Sequence, residues 1–283
     1  MTGAPTTTTL LLDDIPVDEA APHRGSIARI TIDRPAKLNA LNQQVWSDMR
    51  TLIDHVEAED QYRVIVIAGA PPPEPEEGKR RKPHAFAAGA DISEFVGKDS
   101  SAIWSIFNDR NIWEVVWEAS KPTLAMVDGF ALGGGMELAC SCDIRIVSDR
   151  STFGFPEINL GLMPGGGGTQ RAVHLLGYGL AMELILTGAN VDAARAERIG
   201  LANRVTAPED LEAVTMEMAR TIATRSAHAV NVAKATIREA TRLPLDEGVI
   251  AERRSFSKMF DSEDAHIGVK AFLERTSPEW VDR

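Results

Sequence analysis

Two glycine clusters and two glutamates are the residues of this 283-residue chain whose types and spacing best suit chemistry. The clusters are Gly133-Gly134-Gly135 and Gly165-Gly166-Gly167-Gly168. Neither is followed by Lys-Ser/Thr, so neither is a phosphate-cradling P-loop. Leu138 and Arg171 stand where a dinucleotide fingerprint needs its last glycine. Glycines that open a helix let a ligand approach the backbone closely and leave unpaired N–H groups facing it, where the helix dipole favours negative charge. That suits an oxyanion site, although tight turns and helix packing use the same residues.

Glu137 lies just past the first cluster, and Glu157 follows in the mostly apolar Phe153-Gly-Phe-Pro-Glu157-Ile. An acid in a first helical turn can serve the dipole alone. Beside free amides, two carboxylates suit general acid–base work on an activated carbonyl compound. The amides of its own helix are expected to lower the Glu137 pKa and keep it a base. Desolvation by Phe153, Phe155, Pro156 and Ile158 is expected to raise Glu157 and make it the proton donor; the alternative is that the two share both tasks.

Other constellations carry less. Cys140 and Cys142 have no second Cys or His cluster to complete a metal site, so they are expected to be buried helical thiols and no metal is expected. Ser141 and Ser148 lack a nucleophile-elbow context. The six histidines, His23, His55, His84, His174, His228 and His266, are scattered singly. A net charge of −11 argues against a nucleic-acid partner, and no apolar run of 18 residues argues for a membrane span. The start of the chain has no basic segment before its short Leu10-Leu11-Leu12 run, and two closely spaced cysteines cannot staple a fold. A reduced, cytoplasmic protein is the expectation.

These residues need elements to hold them. Ser26 to Asp33 alternates as a strand does, and Leu41 to Glu59 repeats apolar residues at helical spacing. Arg63 to Ala68, Thr123 to Val127 and Ile144 to Val147 are β-branched runs without alternation, the pattern of strands buried on both faces. Helical stretches at Ala102 to Glu118 and Met136 to Cys140 lie between them, which predicts an α/β fold with parallel pairing. Residues 1–25 are predicted to be a frayed, disordered tail and 26–205 an α/β core. From Thr169 the chain reads almost wholly helical to Arg275, with 206–283 a helical C-terminal region. Pro71 to Pro83 holds five prolines and seven charges in thirteen residues, and is predicted to be a surface insertion. Its basic tetrad, Lys79 to Lys82, either contacts a phosphate or is simply solvated. Trp104, Phe107, Trp113 and Trp117 either line a pocket or pack the core.

Read together, the motifs resemble the enoyl-CoA hydratase/isomerase (crotonase) family. The resemblance rests on Asp33-Arg-Pro-Ala-Lys37-Leu-Asn-Ala-Leu41, Ala85-Phe-Ala-Ala-Gly-Ala90-Asp-Ile92 and Val127-Asp-Gly-Phe-Ala-Leu-Gly-Gly-Gly-Met-Glu-Leu-Ala139. It continues through Phe155-Pro-Glu-Ile-Asn-Leu-Gly161, Pro164 to Arg171 and Ala181 to Gly188, and spans about Ser26 to Glu274. It implies a crotonase-like β-spiral core and a helical C-terminal trimerisation region, giving a homo-oligomer, trimer or hexamer. It places the backbone amides of Ala90 and Gly134 in an oxyanion hole for an acyl-CoA thioester, and Glu137 and Glu157 as the catalytic pair. Ala36, Lys37 and Leu38, with Ala88, Ala90, Asp91, Ile92, Ser93 and Gly134, would bind the CoA ester. No cofactor is implied, because coenzyme A belongs to the substrate.

Keeping both glutamates favours an enoyl-CoA hydratase. A double-bond isomerase, hydrolase or decarboxylase on the same scaffold is the alternative, and a CoA-binding protein without turnover the remaining one. Two features depart from the family pattern: the long 71–83 insertion, and Arg275-Thr-Ser-Pro-Glu279 where many relatives carry a basic run for the CoA phosphates. The tetrad of the insertion is a candidate substitute.

Overall fold

The computed structural model describes residues 4–21, 24–75, 78 and 80–282. Strand β1 (Leu10–Pro16) precedes β2 (Ser26–Ile32), helix α1 (Gln43–Ala58), β3 (Tyr62–Gly69) and β4 (Ala85–Ala87). Helices α2 (Ser100–Phe107) and α3 (Ile112–Glu118) lead to β5 (Thr123–Val127) and β6 (Phe130–Leu132). Next come α4 (Gly134–Ser141), β7 (Ile144–Ser148) and β8 (Thr152–Gly154). Helices α5 (Gly168–Leu176) and α6 (Tyr178–Thr187) follow, then β9 (Val191–Asp192), α7 (Ala193–Arg198) and β10 (Arg204–Thr206). Four helices end the chain: α8 (Leu211–Ala223), α9 (Ala227–Glu239), α10 (Leu245–Met259) and α11 (Glu263–Glu274).

One sheet runs β1-β2-β3-β5-β7-β10, the other β4-β6-β8-β9. The successive pairs β3 and β4, β5 and β6, β7 and β8 are split between the sheets. Each turn of the chain therefore lays one parallel strand in each, which is the expected spiral. In β3, Ile65 and Ile67 face the main core beside Met49 and Ile53 of α1, while Val64 and Val66 meet Leu211 and Met216 of α8. Successive side chains of a strand point to opposite faces, and both faces here are covered. That is why this stretch shows no polar alternation. The first helix of the expected C-terminal region thus packs on the core sheet.

Two expectations change. Residues 10–16 do not fray: β1 pairs antiparallel along the whole of β2, from Leu10 opposite Ile32 to Pro16 opposite Ser26. Leu10 is buried, Asp13 pairs with Arg29 at 3.0 Å, and the Asp48 carboxylate accepts from the Thr8 and Thr9 amides. Backbone pairing supplies what an apolar pattern does not. Met1 to Gly3, with Pro22 and His23, lie outside the described residues. The helical stretch Ala102 to Glu118 is two helices, because the Asn111 side chain caps α3 by accepting from Glu114 N–H at 3.0 Å. In the insertion, Arg81 pairs with Glu74 and Lys82 Nζ donates to the Ala36 carbonyl at 2.7 Å, while Lys79 lies outside the described residues.

The turn before α1 is held by one buried side chain. Leu38 and Asn39 both have φ above +50°, and Asn39 Nδ2 donates to Ala70 O (3.0 Å) and Ala85 O (2.7 Å). Its Oδ1 accepts from Arg34 N–H. This amide pins residues 34–39 to the ends of β3 and β4, and so to the glycine turn that follows β4. Asn39→Ala strands those carbonyls and strains a left-handed residue, so urea unfolding should show a loss of about 2–4 kcal/mol. A midpoint within error of the parent protein would refute that role.

Candidate active site

Helix α4 starts at a backbone approach that only glycine permits: a Cβ on Gly135 would fall 1.9 Å from Ala87 O. This seats the α4 N-terminus against the turn after β4. A Cβ on Gly134 would stand 3.2 Å from the Ala90 amide nitrogen, so these two expected donors are neighbours. Among the described residues, neither N–H has an acceptor. Gly134 is the first residue of α4 and has no intrahelical acceptor. Ala90 bridges Leu41 in parallel fashion: Leu41 N–H donates to Gly89 O and Asp91 N–H donates to Leu41 O. That geometry turns the Ala90 N–H to the opposite side. Two such amides on adjacent turns can together donate to one oxygen atom.

The glutamates flank them. Glu157, in the 3-10 turn Pro156–Leu160, has its Oε1 3.2 Å from where a Gly133 Cβ would lie, and its buried Oε2 has no hydrogen-bond partner among the described residues. Glu137 is only 2% exposed, and its Oε1 accepts from Gly166 N–H (2.7 Å) and Gly168 N–H (2.8 Å). The second glycine cluster therefore serves the first glutamate. Sequence reading missed this pairing, and the four-glycine run was its only signal.

Burial pushes the Glu137 carboxyl up to about 7; the Gly168 amide opposes this, and the charge of Glu157 adds to it. The expectation of a lowered Glu137 pKa is thus overturned, because desolvation of the charged form outweighs the amides that hold it. Burial also raises Glu157, in the expected direction. Arg171, in α5, lies against this centre. Its Nη1 donates to Gly166 O at 2.7 Å, its guanidinium lies over the Trp117 ring, and its charge opposes the rise at Glu137.

The expected CoA-binding segments also meet. Ala88 N–H donates to Leu38 O, beside the 3-10 turn Pro35–Lys37 that carries Ala36 and Lys37. Arg34 pairs with Asp91 at 3.1 Å, and Ser93 Oγ donates to Asp91 Oδ1 at 2.6 Å. The Ser93 hydroxyl, then Arg34, hold the Asp91 carboxyl below its ordinary value against the effect of burial. Ile92 is exposed on the same segment. The aromatic residues part company: Trp113 is buried, Phe107 stacks on it, and Trp104 is exposed. Cys140 and Cys142 are buried free thiols, and burial pushes them up to about 11 and about 12. Among the described residues, no three His, Cys, Asp or Glu side chains gather as a metal ion would need.

A family model described as enoyl-CoA hydratase/isomerase matches residues 23–283. The chain belongs to that family. It is 40% identical over 266 residues to a protein of Rhizobium meliloti named "Probable enoyl-CoA hydratase", covering 92% of this chain and 96% of that one. It is 37% identical over 259 residues to the short-chain-enoyl-CoA hydratase of Clostridium acetobutylicum, covering 90% and 94%. Among solved structures, an enoyl-CoA hydratase of Geobacillus kaustophilus superposes with a TM-score of 0.87 at 36% identity, covering 99% of this chain and all of that one. The crotonase spiral with its helical C-terminal part is the fold of this chain.

A carboxyl whose pKa is raised by folding binds its proton in the native state where the unfolded chain has released it. The stability it confers is complete below the ordinary value of 4.5 and is lost as the pH rises through about 7. Glu137→Gln should therefore melt above the wild type at pH 8 and close to it at pH 5. An equal difference in melting temperature at both pH values would refute a carboxyl titrating near neutrality.

Proposed function

We propose that this chain adds water across the 2,3 double bond of a 2-enoyl-CoA thioester. The observation that carries this reading is two spare amides, on Ala90 and Gly134, flanked by two glutamates whose burial favours the protonated carboxyl. Hydration needs one group to take a proton from water and one to deliver a proton to carbon. As water oxygen bonds to C3, electrons move to the thioester oxygen, which accepts from the Ala90 and Gly134 amides. The enolate then collapses with protonation at C2.

Glu137 is the better base, because two N–H donors support its carboxylate and leave Oε2 to accept from water. Glu157 is the better donor: among the described residues no group donates to its buried Oε2 to support a negative charge. Protons are conserved, since the one taken from water can return through the pair once the C2 proton is delivered. No cofactor enters these steps. The segments at 36–38 and 88–93 would hold the CoA portion, with Lys82 beside Ala36 as a phosphate contact in place of a basic C-terminus.

The C-terminal helices supply the oligomer contacts in this reading. In α10 no side chain is buried, and Leu245, Phe256, Phe272 and Leu273 of α10 and α11 are between 65% and 83% exposed. Apolar area of that kind marks an interface, here the homo-oligomer of the family, trimer or hexamer. A cytoplasmic location fits the two free thiols.

The test is to mix the protein with crotonyl-CoA and follow the loss of conjugated enone absorbance. Glu137→Gln and Glu157→Gln should each lower kcat about 10²–10⁴-fold. If either variant hydrates at the wild-type rate, the paired mechanism is wrong. Loss of hydration alone, with 3-enoyl to 2-enoyl isomerisation kept in Glu137→Gln, would instead favour an isomerase using Glu157.

A further inference from the structure

One side chain of helix α3 reaches both glycine turns. The Trp113 side chain is 1% exposed, and its Nε1 donates to the Gly134 carbonyl at 2.8 Å. A Cβ on Gly134 would lie 3.1 Å from Trp113 Cζ2. On Gly166 it would fall 2.3 Å from Trp113 Cδ2, inside the indole. The Nε1–Cζ2 edge of the indole thus meets the residue offering the oxyanion amide. Its Cδ2, Cε2 and Cε3 atoms lie against the residue whose N–H holds Glu137. The Trp113 carbonyl also accepts from Arg171, which donates in turn to Gly166 O.

The indole itself cannot drift. Phe107 stacks on it with centroids 5.7 Å apart and planes within 10°, and Trp46 meets it edge-on at 4.9 Å. A rigid aromatic box therefore holds the indole N–H on the Gly134 carbonyl. The α4 hydrogen-bond ladder already provides for the Gly134 carbonyl, so the indole bond adds orientation to a satisfied group.

We propose that Trp113 is a positioning residue for the reaction: its N–H and ring set the place of the Gly134 amide relative to Ala90, and its distance from the turn that holds Glu137. This rests on the oxyanion role of Ala90 and Gly134 argued above. A misplacement of about 1 Å in such a site costs on the order of 10²-fold in rate. Trp113 would therefore act on kcat through geometry while touching no substrate atom.

Butyryl-CoA, a saturated thioester that cannot be hydrated, reports on the amides through its carbonyl stretch. Carbon-13-edited infrared difference spectra of wild-type protein with bound butyryl-CoA should show that stretch below its value in free butyryl-CoA. A wild-type spectrum without lowering would contradict the oxyanion reading itself. Given the lowering, Trp113→Phe keeps an apolar ring and deletes the N–H. Its bound stretch should return most of the way to the free value, with kcat for crotonyl-CoA falling about 10–100-fold and KM within about threefold. A folded Trp113→Phe with a wild-type stretch and kcat overturns the proposal, whatever its melting temperature. If the phenylalanine variant does not fold, Trp113→Met, whose flexible side chain fills an irregular gap, carries the same expectation and the same refutation.

Discussion

A carboxyl group buried at the root of a helix and held by two backbone amides is the constraint on which the rest of this structure depends. Glu137 keeps its place because Gly166 and Gly168 present N–H groups to Oε1 at 2.7 and 2.8 Å. A side chain on Gly168 would stand 2.9 Å from that same oxygen. The Gly166–Gly168 turn must therefore stay free of side chains and in one conformation. Arg171 fixes it from one side through the Gly166 carbonyl, and Trp113 packs it from another. The N-terminus of α4 is set by the same requirement, since Glu137 lies in its first turn.

Burial gives this arrangement its chemical character. In water both glutamates would be ionised at neutral pH and would repel. Desolvation raises both, and brings Glu137 to about 7. At that value Glu137 can take up and release a proton near neutral pH, which is where a general acid–base catalyst works best. In the proposed reaction, the donors on Glu137 and their absence on Glu157 Oε2 among the described residues divide the labour. The low dielectric that shifts the carboxyls would also strengthen the two amides proposed to meet the developing negative charge.

Much of this was legible in the residues. The non-alternating β-branched runs gave β3, β5 and β7, because strands covered on both faces need apolar residues throughout. The glycine clusters and the glutamates marked residues that the fold brings together. Strand β1 was hidden: Leu10-Leu11-Leu12-Asp13-Asp14 has no strand period, and its order comes from backbone pairing with β2. The Glu137 pKa was hidden for another reason. Helix amides and burial act in opposite directions, and only the depth of the side chain decides between them. The place of Trp113 was hidden too: its type and spacing suit a pocket wall as well as the core, and its hydrogen bond runs to a carbonyl 21 positions away.

Whether the two glutamates act as one unit is tested most directly by the hydration rate of the doubly substituted protein. Residues that share a single proton-transfer step are grossly non-additive. Combining Glu137→Gln with Glu157→Gln should give a crotonyl-CoA hydration kcat within about threefold of the slower single variant. A rate near the product of the two separate losses would mean that the carboxyls act independently, and would contradict a paired mechanism.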